Sequence, residues 1–167
     1  ERLISFAVDL KTEVATSEQG SPEELVGVRI ARGTLVATRL LRRARTYTIK
    51  RTGGRAQDLL IEHPIDPNWE LVSPEAVAER TRDSYRFAVK LGADAATSIL
   101  TVAEKRMVSQ TGLLSNVSDD TIAFYMRARE VSPKVKEALA AVMARKAALA
   151  ETVAQRQEEE RKQQQIS

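Results

Sequence analysis

The chain has no cysteine, a single histidine and few aromatic residues, and each shortage excludes a class of function. Zero cysteines exclude a disulfide framework and cysteine-ligated zinc. One histidine is too few for a histidine-rich metal site. With 4% aromatic residues, the core must consist mostly of Val, Leu, Ile and Ala. No apolar run approaches the roughly 20 residues of a membrane-spanning helix, so we expect no transmembrane segment.

The catalytic patterns that depend on glycine or on clustered carboxylates are also missing. The seven glycines fit neither a phosphate-binding loop nor a serine nucleophile elbow. No acidic loop has the spacing of a calcium site. The sequence therefore predicts a non-enzymatic protein without a cofactor or a bound metal.

The hydrophobic pattern changes its period at about Ser118. Before this residue apolar and polar residues alternate, which is typical of strands, and after it apolar residues recur every three or four positions, which is typical of helices. The fold class predicted is mainly β with a C-terminal α part: an antiparallel β-sandwich followed by a short helix and a long helix. We place a β-sandwich domain at residues 1–115 and a helical extension at 116–167.

Within the first part, strands are predicted at Leu3–Leu10, at Val26–Ile30 and at Thr34–Leu41, with a loop at Thr16–Glu24. Two hairpins are predicted as well. The first pairs Thr46–Ile49 with Leu59–His63 through Gly53 and Gly54, and the second pairs Tyr85–Leu91 with Thr97–Glu104 through Gly92–Asp94.

Two helix starts follow. Ser118 precedes Asp119 and Asp120, which is a capping serine with acids in the first turn, and predicts a short helix over about 119–130. Ser132 and Pro133 predict the start of a long helix over about 133–165.

One stripe of the long helix is apolar and has coiled-coil spacing, although Lys146 and Arg156 interrupt it. Its residues are the candidate interaction surface: Val135, Leu139, Val142, Leu149 and Val153. The predicted partner is a protein helix, from a second copy of the chain or from a missing segment of a longer chain. The first residue is Glu and no stop signal ends the helix, so we interpret the sequence as part of a longer protein.

A basic segment over residues 26–57 holds nine of the 26 Lys and Arg residues and no acid, while the rest of the chain is net negative. The candidate basic patch is Arg29, Arg39, Arg42, Arg43 and Arg45. On an outer sheet face these arginines would contact an acidic glycan or an anionic membrane surface. The other interpretation is that they are the polar half of the strand alternation. Nucleic acid is disfavoured, because Tyr47 is the one aromatic side chain in this segment.

His63 is the one candidate for acid–base chemistry, with Glu62 or Asp66 as its partner. Neighbours on a strand point to opposite faces, so Glu62 and His63 do not share a site. A hydrogen-bonded structural histidine is favoured, and a hydrolase with an unrecognised site is the remaining alternative.

Four segments, in their order and spacing, resemble a known bacterial family. They are Arg2–Asp9, Arg45–Lys50, Leu60–Pro64 followed by Trp69–Leu71, and Tyr85–Phe87. Together they look like the C-terminal domain of unknown function of mucoidy inhibitor A-like proteins, over about residues 1–110. Arg51 departs from that pattern, where Asn is expected.

The resemblance implies a domain followed by a helical segment, in proteins often associated with the bacterial envelope, and it supplies no catalytic residue. The lack of cysteine does not decide between the cytoplasm and the periplasm. The function predicted is a non-enzymatic scaffold or protein-interaction module of a larger bacterial protein, with polyanion binding as the first alternative.

Overall fold

The computed structural model describes residues 9–166. The fold is mainly antiparallel β with two C-terminal helices, as the sequence predicts. The strands are β1 (Thr12–Gly20), β2 (Glu24–Ala31), β3 (Thr34–Thr52), β4 (Gln57–Pro64), β5 (Glu70–Ser73), β6 (Glu79–Arg80), β7 (Ser84–Leu91) and β8 (Ala95–Leu113). A 3₁₀ turn at Leu114–Asn116 precedes α1 (Asp119–Arg127) and α2 (Pro133–Ile166).

The strands form two sheets. One has the order β1-β3-β8-β5, with β2 also paired to β3, and the other has the order β4-β7-β6. The chain divides into two compact units, Glu1–Glu23 with Leu40–Arg106 (unit 1) and Glu24–Arg39 with Met107–Ser167 (unit 2).

Unit 1 is a β-sandwich whose two sheets share one core. Alternate residues of each strand face inward, so the core takes every second residue of β3, β4, β7 and β8. Its buried members are Tyr47, Ile49, Ile61, Tyr85, Phe87, Val89, Leu91 and Val102. Leu71 packs against this core from β5.

Unit 2 has its own core between strands and helices. Val28, Leu35 and Ala37 come from the strands, and Ile122, Tyr125, Val131 and Leu139 come from the helical part. The strands β2 and β3 join through Arg32 and Gly33, which have φ of 50° and 76°, the left-handed pair that a tight hairpin turn requires. Where the sequence predicts a division at residue 115, the compact units instead group this hairpin with the helices, because the two share a core.

Both predicted helices are present. Ser118 caps α1, since its hydroxyl accepts a hydrogen bond from the Thr121 amide at 3.2 Å. Pro133 is the first residue of α2, and Ser132 Oγ accepts from the Val135 amide at 3.4 Å. Among the described residues, no helix combines the length and the apolar content needed to cross a bilayer.

One prediction for the N-terminal part of the chain needs correction, and another falls mostly outside the described residues. The loop predicted at Thr16–Glu24 is largely strand β1, which pairs with β3 from Thr12 opposite Arg51 to Gly20 opposite Arg43. As an edge strand with mostly exposed residues, β1 is ordered by backbone pairing and leaves no hydrophobic alternation in the sequence. The strand predicted at Leu3–Leu10 falls mainly on residues 1–8, outside the described part of the chain.

Both predicted hairpins are wrong in their pairing, although their strands exist. β4 pairs with β7, from Gln57 opposite Leu91 to Pro64 opposite Ser84, and neither β3 with β4 nor β7 with β8 is a neighbouring pair. The turns at Gly53–Gly54 and Gly92–Asp94 therefore carry the chain from one sheet to the other. A turn signal between two strands does not distinguish a hairpin from such a crossing.

Candidate functional site

At one end of unit 1, the inner faces of the sandwich change from apolar to charged residues. On β3 the inward series of Ile49 and Tyr47 continues to Arg45 and Arg43. On β4 the next inward residue after Ile61 is His63. On β8 the next inward residue after Val102 is Glu104. Side chains from the two sheets meet there, since Glu104 lies within 3.5 Å of both Arg43 and His63. We call Arg43, Tyr47, His63 and Glu104 the polar cluster.

Glu104 is the centre of the polar cluster and is 2% exposed. Arg43 Nε donates to Glu104 Oε2 at 2.7 Å, and His63 Nε2 lies 3.5 Å from the same oxygen. Burying a carboxylate is costly unless it is paired and hydrogen-bonded. The other oxygen, Oε1, is also buried, and no described residue donates a hydrogen bond to it.

His63 is buried and hydrogen-bonded, as the sequence favours. Its Nδ1 lies 2.8 Å from the Tyr47 hydroxyl. Burial lowers the pKa of His63 below its usual 6.5, against the opposing effect of Glu104. Nε2 faces the Glu104 carboxylate, which only accepts hydrogen bonds, so the proton of the neutral ring is on Nε2. Nδ1 is then the acceptor for the Tyr47 hydroxyl.

The carboxylate beside His63 is therefore Glu104, which sequence proximity does not reveal. Glu62 lies on the outer face and accepts a hydrogen bond from Arg86 Nε at 2.8 Å. Asp66 pairs with Arg43 Nη2 at 3.6 Å. The hydrolase alternative stays a prediction.

The two arginines on this inner face are held by acids of unit 1. The Arg43 guanidinium lies 4.2 Å from the centroid of the Trp69 ring, which adds a cation–π contact. Arg45 Nε donates to Glu18 Oε1 at 2.6 Å across the β1–β3 pair. That hydrogen bond raises the pKa of Arg45. Arg43 and Arg45 thus pair with acidic residues of unit 1.

The candidate basic patch is accordingly divided among different surfaces. Arg43 and Arg45 share the inward face with Tyr47, so their expected outer-face position is wrong. Arg42 is exposed on the opposite face of β3. In unit 2, Arg29 is exposed on β2, and Arg39 is half-buried on the β3 face that carries Leu35 and Ala37. Polyanion binding stays a prediction.

The candidate interaction stripe on α2 splits into a buried and an exposed part. Leu139 is 0% exposed in the core of unit 2, and Val135 and Val142 pack against that core. Leu149 and Val153 are 66% and 44% exposed. Every residue from 147 to 164 is exposed, so this part of α2, which we call the arm, presents its apolar residues to solvent.

An apolar groove of about 460 Å³ runs along the arm. Its apolar lining comes from Leu149, Ala150, Val153 and Ala154. At its start, Lys146 Nζ is 2.7 Å from both the Asp119 carboxylate and the Val117 carbonyl. Asp119 is thus a first-turn acid of α1, as predicted, and also the counter-ion of Lys146, whose charge interrupts the stripe.

Comparison of the chain with protein families, with curated proteins and with solved structures finds no match. The resemblance to mucoidy inhibitor A-like proteins stays a prediction.

Proposed function

We propose that this chain is a non-enzymatic interaction module that associates with a protein partner through the arm of α2. The observation that carries the proposal is the exposure of Leu149 and Val153 on two successive turns of a helix. Large apolar side chains grouped on an exposed helix face are typical of an interaction surface.

The composition of the arm supports helix pairing. Ala150 and Ala154 flank the large residues, and small side chains allow a second helix to approach closely. An isolated helix of this length is only marginally stable in water, so a paired helix gains order as well as apolar burial.

A second copy of the chain is the partner that fits the arm. In an antiparallel pair centred on Glu151, Leu149 of one copy lies opposite Val153 of the other, which is the self-complementary contact of a two-fold dimer. The same register brings Glu160 of one copy within about one helical turn of Arg145 of the other. The module belongs, on this proposal, to a larger bacterial, envelope-associated protein, a context that the sequence resemblance supports.

The test is the mass of the protein in solution as a function of concentration, measured by light scattering or sedimentation. We expect a monomer–dimer equilibrium. Replacing Leu149 and Val153 together by Ser should weaken association by about tenfold or more, since each loses a buried aliphatic contact.

The matched control replaces Glu151 and Gln155 by Ser. Each follows a stripe residue by two positions, so it points to the other side of the helix, and this variant should dimerise like the original protein. A strict monomer at every concentration, or equal association of the two variants, would contradict the proposal.

A further inference from the structure

The polar cluster of unit 1 borders a cavity with unused hydrogen-bonding groups. The cavity measures about 220 Å³ and is lined by Arg43, Arg45, His63 and Glu104 from the inner faces and by Glu18, Gln19 and Gly20 from β1. A neighbouring cavity of about 190 Å³ shares Gln19, Arg43 and Glu104 with it. Both lie within unit 1.

Two buried polar atoms in this lining have no hydrogen-bond partner among the described residues, Glu104 Oε1 and His63 Nε2. An unsatisfied polar atom costs on the order of 1–3 kcal/mol when it is buried, and more when it is charged. Such atoms in a native interior call for a specific partner. The two residues that carry these atoms line the cavity.

We propose that this cavity binds a small, uncharged molecule rich in hydroxyl groups, such as a polyol or a monosaccharide. Glu104 Oε1 only accepts, so the ligand supplies a donor there. His63 Nε2 carries a proton in the tautomer set by Tyr47 and lies 3.5 Å from Glu104 Oε2 without forming a hydrogen bond to it, so the ligand supplies an acceptor close by. A hydroxyl group is both donor and acceptor, which matches this pair of atoms.

The charges around the cavity favour a neutral ligand over an ion. Within the cavity, the positive charges of Arg43 and Arg45 repel an ammonium group, and the negative charges of Glu18 and Glu104 repel a carboxylate. Both guanidinium groups already have acidic partners, Glu104 and Glu18 respectively.

The size of the cavity agrees with this class of ligand. A cavity of about 220 Å³ has room for a polyol or a single sugar ring, since one water molecule needs only about 10–15 Å³ of such volume. Glu18, Gln19 and Gly20, which line the cavity from β1, are exposed.

The experiment uses the fact that His63 is the only histidine in the chain, so its ring signals in a ¹H–¹⁵N spectrum are unambiguous. The probes are glycerol and D-glucose, with methylammonium chloride and sodium acetate as charged controls. We expect a saturable shift of the His63 ring signals with glycerol or glucose. Intermolecular NOEs from the probe to the ring of His63 should place the probe in the cavity of the unaltered protein.

Glu104→Gln removes the accepting charge at nearly constant shape and should weaken binding of the probe by about tenfold or more. Glu62→Gln, the same change on the outer face of β4, should bind the probe like the original protein. Three outcomes would overturn the proposal: no saturable shift with either hydroxylated probe, stronger binding of a charged control, or probe NOEs that avoid His63. The NOE measurement decides the question even if the Glu104 variant does not fold.

Discussion

At the scale of single residues, the polar cluster shows how a sandwich interior accommodates charge. Glu104 is paired with Arg43, and His63 is neutral and bound to Tyr47, so the cluster avoids an isolated buried ion. The stacking of Arg43 on Trp69 keeps the guanidinium at the edge of the core. The stability of the cluster should therefore depend on the protonation of His63 and on the hydrogen bond from the Tyr47 hydroxyl.

The first prediction is that the free energy of unfolding depends on pH through His63. Because burial lowers the pKa of His63 in the folded protein, the unfolded chain binds the proton more readily. The free energy of unfolding should therefore be fully retained above about pH 6.5 and fall as pH decreases from 6.5 toward the folded pKa, by at most about 1.4 kcal/mol per pH unit from this one group. Urea unfolding between pH 7.5 and 5 measures the slope.

The control for this prediction is His63→Gln, in which the slope over the same pH range should disappear whatever the absolute stability. Direct titration of the single imidazole by NMR gives the folded pKa independently. A value at or above 6.5 would refute the assignment of His63 as a buried neutral histidine.

The second prediction concerns the Tyr47 hydroxyl. In Tyr47→Phe, His63 Nδ1 loses its partner inside the core, which should lower the free energy of unfolding by about 1–3 kcal/mol. The same change at Tyr85, a core tyrosine of unit 1 outside the polar cluster, is the matched control in urea unfolding. Equal effects of the two changes would show that the hydrogen bond contributes nothing specific.

At the scale of helices and strands, the sequence predicts what local signals determine. Ser118, Ser132 and Pro133 set the helix starts through groups within three residues, and these starts are found where predicted. Strand pairing depends on residues far apart, so the turn signals at Gly53–Gly54 and Gly92–Asp94 predict hairpins, whereas β3 does not pair with β4 and β7 does not pair with β8. β1 carries no apolar alternation and is identified by its pairing alone.

The same distinction applies to the candidate site. The alternation Arg43, Arg45, Tyr47, Ile49 places all four residues on one face, a pattern that is visible in the sequence. Glu104 is 41 residues from His63 along the chain, and only the meeting of β4 and β8 across the sandwich shows that they are neighbours. Long-range contacts of this kind leave no signal in a single sequence.

The third prediction separates the two parts of α2. Leu139→Ala removes a fully buried side chain and should lower the free energy of unfolding by about 2–5 kcal/mol. Leu149→Ala, at an exposed position of the same helix, should change the stability of the monomer by less than about 0.5 kcal/mol. Thermal unfolding at low protein concentration compares them, and a large effect of Leu149→Ala there would mean that the arm packs on its own monomer.

At the scale of the whole molecule, the chain supports two cores of different construction. Unit 1 buries alternating residues of two sheets, and unit 2 buries one face of a hairpin against two helices. The candidate small-molecule cavity belongs to the first and the interaction arm to the second. Each proposed activity is therefore tested by substitutions that leave the other core unaltered.

The two longest strands determine which parts of this chain can be expressed separately. β3 passes from unit 2 to unit 1 between Arg39 and Leu40, and β8 passes back between Arg106 and Met107. Unit 2 is thus assembled from two stretches separated by a 67-residue insertion, Leu40–Arg106. No single contiguous gene fragment encodes unit 2 without unit 1, so its separate expression requires either a linker that replaces the insertion or co-expression of two peptides.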